Sequence, residues 1–323
     1  MKILIILPNW LGDAVMATPA IELLAQHYPN TRFTFVGSYV SIEAIKYHPL
    51  CEKAIVDDTK KASWRLLSTY KLARELGEFN LAVTFRSQVY SSLLLRFTKT
   101  VVCLAKASWH SKLLLSHTPK IKSNKHLVKQ YSELAMINSD GFKGNSPELK
   151  LYIQPESFTK PTLGINAGAT YGSAKRWYPE RFAQVAANYS KEYEILIFGG
   201  PGEIEMAKDI ERNLISLGVT NYTNIAGTTT IKELCSNIAG CSLFITNDSG
   251  PMHVAAAYQV PTVAIFGPTK YKETSQWMNK KSTIVRKEMD CSPCMKRECP
   301  LKHHDCMKNI HADEVIKAIK TLL

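Results

Sequence analysis

No apolar run in this 323-residue chain approaches the roughly 18 residues that a membrane-spanning helix needs. The opening Met1-Lys2-Ile3-Leu4-Ile5-Ile6-Leu7 is cut short by Pro8, Asn9 and Asp13. It therefore reads as a first strand rather than an export signal, and a cytoplasmic protein is expected. There is no strand-linked G-x-G-x-x-G, which disfavours a dinucleotide oxidoreductase, and no Gly-Lys-Ser/Thr phosphate loop. No helix-turn-helix, RNA-binding or zinc-finger spacing occurs, so nucleic acid is not an expected partner. Internal repeats and low-complexity segments are absent as well. Finally, residues 79–132 contain no acid.

That acid-free stretch carries Arg86, Arg96, Lys99, Lys106, Lys112, Lys120, Lys122, Lys125 and Lys129. It also carries Leu93-Leu94-Leu95, Trp109 and Leu113-Leu114-Leu115. Basic and apolar residues together suit an anionic amphiphile or a membrane surface. A solvated basic face is the plainer alternative. The net charge of +12 lies mostly in residues 1–160. A hydrophobic content of 45% against 21% charged residues is ordinary for a globular chain, and the length is enough for two α/β domains. In a cytoplasmic setting the eight cysteines are better read as thiols or metal ligands than as disulfides.

Strands and helices alternate along the chain. Strands are expected at 2–7, 32–36, 54–56 and 81–84, with helices at 14–27, 42–46, 64–76 and 91–97. A second series begins near 160, with strands at 162–166, 194–198, 243–246 and 262–266. Its helices are expected at 179–189, 204–217 and 230–238. Such alternation predicts parallel, doubly wound sheets. The polar stretch Gln154 to Pro161 marks a boundary. The expected division is one domain at 1–157, a second at 158–309, and a closing helix at 310–323 that packs back on the first. Two such domains facing each other would form a cleft beyond the carboxyl ends of their strands.

Four stretches carry candidate chemistry. Thr246-Asn247-Asp248-Ser249-Gly250-Pro251-Met252-His253 joins an apolar strand to a small-residue helix. Backbone N–H groups at a helix start suit a phosphate, whereas the Asp248 carboxylate repels phosphate and suits sugar hydroxyls. The alternative is an ordinary helix capped by Asp248 or Ser249. Pro8-Asn9-Trp10-Leu11-Gly12-Asp13 delivers Asp13 to the first helix, as a cap or as a general base ionised at neutral pH. Asn166 to Trp177 contains Thr170, Lys175 and Arg176 on a Gly-bearing loop, a phosphate cradle or a solvated basic loop. Phe198-Gly199-Gly200-Pro201-Gly202-Glu203 is a plain βα turn, or one that brings Glu203 to ribose hydroxyls. Separately, Cys291, Cys294, Cys299 and Cys306 with His303 and His304 have zinc-like ligand types but match no standard finger. A structural metal, packed thiols and redox-linked cysteines all remain open readings.

Taken together, these stretches resemble glycosyltransferase family 9, the ADP-heptose:lipopolysaccharide heptosyltransferases. The resemblance spans the chain and is strongest at 1–20 and 164–306. The segment Cys-Ser-Pro-Cys-x-x-x-x-Cys-Pro is similar to heptosyltransferase II. The resemblance implies a GT-B fold, with a Rossmann-like acceptor-binding domain at 1–157 and a Rossmann-like ADP-sugar-binding domain at 158–309, and inverting transfer that needs no metal for chemistry. It implies ADP-L-glycero-D-manno-heptose as donor. The implied acceptor is the first heptose of a lipid-linked, anionic Kdo–lipid A core at the inner face of the cytoplasmic membrane. By motif, Asp13 would be the base, Lys175 with Thr170 would hold the diphosphate, and Asp248 would bind the heptose hydroxyls. Ser249 and Gly250 N–H groups with His253 would hold phosphate, and Glu203, Thr228 and Thr229 would face the nucleoside. Asn9, Trp10 and Arg86 are the expected acceptor contacts, and a peripheral monomer is expected. The competing readings are another GT-B transferase, a nucleotide-sugar epimerase, and a non-catalytic sugar-nucleotide or zinc-binding module.

Overall fold

The computed structural model describes residues 1–139, 142 and 144–323. Two compact units divide the chain, Met1–Tyr152 and Ile153–Leu323. In the first, five strands form one sheet: β1 (Lys2–Ile6), β2 (Arg32–Gly37), β3 (Cys51–Val56), β4 (Leu81–Thr84) and β5 (Val102–Ala105). Their spatial order is β3-β2-β1-β4-β5, and every pair is parallel. Ile3 to Ile6 have no exposed surface, as expected for a central parallel strand covered on both faces.

The second unit contains β6 (Thr162–Asn166), β7 (Glu194–Phe198), β8 (Tyr222–Asn224), β9 (Leu243–Asn247), β10 (Thr262–Phe266) and β11 (Ser282–Arg286). They pair in parallel in the order β11-β10-β9-β6-β7-β8. Gly164 lies at the middle of β6, where a Cβ would come within 2.6 Å of Phe244 Cδ2 and 2.9 Å of Phe198 Cε2. Those two rings pack edge to face at 5.6 Å across it. Both units are thus Rossmann-like parallel sheets with helical crossovers.

Each sheet has a point where the strand order turns back, β1 beside β4 and β6 beside β9. The carboxyl ends of strands on either side of such a point are where open α/β sheets bind ligands. The Asp13 loop follows β1 and Arg86 follows β4. The Lys175 loop follows β6 and the Asp248 turn follows β9. The sheet order therefore pairs motifs that are 73 residues apart in sequence, Asp13 with Arg86 and Lys175 with Asp248.

Several elements differ from expectation. The helix expected at 14–27 starts earlier and is divided into Leu11–Met16 and Thr18–His27. Pro19 has no N–H to give to the Val15 carbonyl, and the Thr18 hydroxyl donates to that carbonyl instead, at 2.8 Å. Strands β5, β8 and β11 and the helices Trp109–Leu114 and Leu127–Ala135 were not expected. The closing helix, Ala312–Leu322, was expected against the first domain. Its buried Val315 and Ile319 instead join the hydrophobic core of the second unit, because its apolar stripe matches the open faces of helix Pro179–Tyr189 and β11.

Candidate functional site

In the second unit, the site grows from the turn after β9. Asp248 is almost fully buried, and its Oδ2 lies 2.6 Å from Lys175 Nζ. The Thr269 hydroxyl donates to the same oxygen at 2.6 Å, and Lys175 Nζ also donates to the Asp248 carbonyl at 3.2 Å. A carboxylate removed from water needs such partners. Both side-chain contacts among the described residues run to Oδ2. Residues from the ends of β6, β9 and β10 thereby converge on one carboxylate.

The floor beneath it is a buried amide network. Asn166 Nδ2 donates to the Gly168 carbonyl at 3.3 Å, to Thr246 Oγ1 at 3.2 Å and to Ser249 Oγ at 3.1 Å. Asn247 Oδ1 accepts from the Trp177 amide at 3.0 Å, and Asn247 Nδ2 donates to the Ala167 carbonyl at 2.5 Å. These bonds tie the strand ends of β6 and β9 together. Ser249 occupies the N-cap position of helix Gly250–Ala257, yet its side chain makes no capping bond. Pro251 brings no N–H and the Met252 amide donates to the Ser249 carbonyl at 3.2 Å, so it is the Ser249 and Gly250 amides that give this helix start its anion-binding character. His253 is buried within that helix.

The other expected donor contacts lie on the loops after β6, β7 and β8. Thr170 is exposed on the loop before Lys175. Glu203 Oε2 accepts from the Gly200 amide at 2.8 Å, and a Cβ on Gly168 would overlap its carboxylate. The Glu203 carboxylate thus closes its own turn and lies over the β6 loop. Thr228 is exposed, and its hydroxyl donates to the Ile225 carbonyl at 2.9 Å; Thr229 is half-buried beside it. Thr269, Asn166 and Tyr171 were given no role from sequence. Thr269 lies 21 residues beyond Asp248, and only the pairing of β10 with β9 brings it near.

In the first unit, Asp13 stands in the first turn of helix Leu11–Met16, where no side chain caps the N-terminus. Desolvation first, and the Asp13 carboxylate second, hold the Tyr131 phenol well above its ordinary range. Tyr131 comes from helix Leu127–Ala135, an element not read from the sequence. Asn9 is half-buried, and its carbonyl accepts from Ser38 Oγ at 2.8 Å; Trp10 is 53% exposed. Arg86 is buried: Nε donates to the Leu7 carbonyl at 2.6 Å and Nη1 to Asp57 Oδ2 at 2.7 Å. Among the described residues its Nη2 has no hydrogen-bond partner, and neither does the buried Nε of Arg65. The Arg65 guanidinium stacks 3.8 Å from the Tyr90 ring centroid, and its charge helps lower the Arg86 pKa after desolvation and against Asp57.

Among the described residues, no group of three or more His, Cys, Asp or Glu stands together so as to hold an ion. All eight cysteines are free thiols. Burial, with smaller effects from Cys291, Cys294 and Cys299, pushes the Cys306 thiol up to about 11. It is therefore a packed thiol at neutral pH.

The Lys175–Asp248 pair gives a direct expectation for stability. Lys175→Met removes the cation from a buried carboxylate and should lower the unfolding free energy by about 3 kcal/mol. Adding Asp248→Asn should recover most of that loss in denaturant titrations. Additive losses in the double variant would contradict the pairing.

Comparison with known proteins adds identity to this geometry. The profile of glycosyltransferase family 9 (heptosyltransferase) matches residues 69–304. The chain is 40% identical over 331 residues to lipooligosaccharide heptosyltransferase 2 of Campylobacter jejuni, with 100% of this chain and 99% of that one covered. Among solved structures it is similar to E. coli ADP-heptose lps heptosyltransferase II, with TM-score 0.83, 22% identity and coverage of 100% and 98%. An E. coli heptosyltransferase solved with ADP has TM-score 0.81 and 16% identity, with both chains fully covered. Both structures share the two-domain GT-B architecture, and a family profile spanning most of the chain settles membership: the chain belongs to glycosyltransferase family 9, the heptosyltransferases.

Proposed function

We propose that the protein transfers L-glycero-D-manno-heptose, with inversion, from ADP-heptose to the first heptose of the lipopolysaccharide inner core. The observation that carries this reading is the convergence of Lys175, Thr269 and an uncapped helix start on Asp248. That combination offers a carboxylate to sugar hydroxyls and cationic or N–H groups to a diphosphate. The full-length 40% identity to the C. jejuni heptosyltransferase 2 supports the choice of sugar and acceptor stage.

The chemistry follows from the residues. An acceptor hydroxyl attacks the anomeric carbon from the side opposite the departing ADP. The C–O bond to the sugar forms as the bond to the diphosphate breaks, and the hydroxyl proton passes to Asp13. Positive charge spreads over the sugar ring while negative charge builds on the leaving diphosphate. Lys175 and the Ser249–Gly250 amides meet that charge, with the helix dipole adding to them. In this reading no divalent ion is needed. Arg86 Nη2 and Arg65 Nε, without hydrogen-bond partners among the described residues, are donors suited to an anionic acceptor.

The acceptor is lipid-linked, and the acid-free stretch supplies a surface for it. Helix Trp109–Leu114 is closed by a capping box at Ser108. Trp109 and Leu113, four residues apart on one face, are 77% and 80% exposed, and Lys112 lies between them. No helix among the described residues is long and apolar enough to cross a membrane. We place the protein in the cytoplasm, peripheral to the inner membrane face.

Asp13→Ala should reduce transfer by about 10²–10⁴-fold while ADP binding, measured by calorimetry, stays intact. Wild-type turnover in that variant would remove Asp13 as the base. For the surface, Trp109→Ala with Leu113→Ala should weaken partition onto phosphatidylglycerol-containing vesicles by about tenfold or more. Unchanged sedimentation with vesicles would separate that face from the membrane.

A further inference from the structure

The loop that carries Lys175 does not stand alone. The Ala174 amide donates to the Arg297 carbonyl at 3.0 Å, and a Cβ on Gly172 would overlap that same carbonyl. The Tyr171 hydroxyl donates to the Met295 carbonyl at 2.8 Å, and the Met295 amide donates to the Pro268 carbonyl at 2.9 Å. His304 Nε2 lies 3.0 Å from the Ala174 carbonyl, and its Nδ1 lies 3.2 Å from the Tyr178 hydroxyl. Residues 295–304 are therefore laced to the loop before Lys175 and to the loop bearing Thr269. Both loops lead to Asp248.

This lacing fixes where the Arg297 side chain starts. Its guanidinium lies 5.5 Å from the centroid of the Tyr171 ring, and Lys175 Nζ lies 4.9 Å from the same centroid. Two cations within cation–π range of one ring form a local positive pair. Their situations differ, however. Lys175 is already matched by the Asp248 carboxylate at 2.6 Å, whereas no ion pair engages Arg297 among the described residues. A diphosphate arriving at Lys175 meets a charge that is largely compensated, and a second cation is needed to balance it. A guanidinium also offers paired N–H donors that match phosphate oxygens.

We propose that Arg297 is a second diphosphate-binding residue, held beside Lys175 by the Tyr171 ring, and that it contacts the donor's diphosphate. The assignment rests on the second unit being the ADP-sugar site. Arg297 sits in the cysteine segment, whose work is then to carry this cation and to brace the Lys175 loop. Lys296 and Lys302 flank it on the exposed surface.

The test is calorimetric binding of ADP and of AMP to the full-length protein at one ionic strength, in wild type, Arg297→Ala and Arg297→Lys. The lacing uses the Arg297 backbone, so the alanine variant keeps it, and an unchanged thermal transition checks this. Arg297→Ala should weaken ADP by about tenfold or more, AMP much less, and Arg297→Lys should restore part of the loss. Equal weakening of ADP and AMP, or no weakening of either, would overturn the assignment while the donor reading stands. Failure of the wild type to bind ADP would overturn both.

Discussion

The second unit depends on a buried charge that has to be answered. Asp248 lies at the end of the central strand β9, shielded from water, with its Oδ2 shared between Lys175 and Thr269. Removing a carboxylate from solvent is costly unless it is paired and hydrogen-bonded. That requirement dictates much of the surroundings. The loop after β6 must bring Lys175 back over β9, and the loop after β10 must present Thr269. The Asn166 and Asn247 amides hold the intervening strand ends in register.

The same pair sets the electrostatics of the proposed donor site. An ion pair at 2.6 Å is nearly neutral from a distance but polar at contact. It can turn a carboxylate oxygen to hydroxyls and an ammonium to phosphate without rearranging either group. That is preorganisation, and it carries little reorganisation cost when charge builds on a leaving group. The first unit handles its charge differently. Arg86 is buried between the Leu7 carbonyl and Asp57, with one nitrogen left over among the described residues. Asp13 is placed in the first turn of helix Leu11–Met16.

The sheets were largely legible because their central strands are apolar on both faces. Runs such as Ile3-Leu4-Ile5-Ile6 and Leu243-Phe244-Ile245 have no other plausible destination. The edges were harder to read. β8 is three residues long and β11 is mostly half-buried, so neither shows a clear period. The helix Leu127–Ala135 is amphipathic but lies in a stretch whose charge dominated the reading. Motifs beside strands were visible as local patterns, Asp13, Lys175 and Asp248 among them. Their partners were not, because Thr269, Tyr131 and Arg297 reach the sites through strand order and loop packing. A sequence shows which residues are neighbours along the chain; pairing of β9 with β6 and β10 decides which are neighbours in space. Arg86 shows the converse, since a residue singled out for ligand contact also ties the β1 and β4 ends together.

The central claim is heptose transfer to a heptose-bearing core, and mass spectrometry of the acceptor tests it most directly. Purified protein would be incubated with ADP-heptose and a Kdo–lipid A acceptor carrying one heptose, with EDTA present. The expected result is a gain of one heptose that disappears with Asp13→Ala. An unchanged acceptor mass, alongside ADP release with a different donor or acceptor, would contradict the proposed reaction and assign this fold to another sugar.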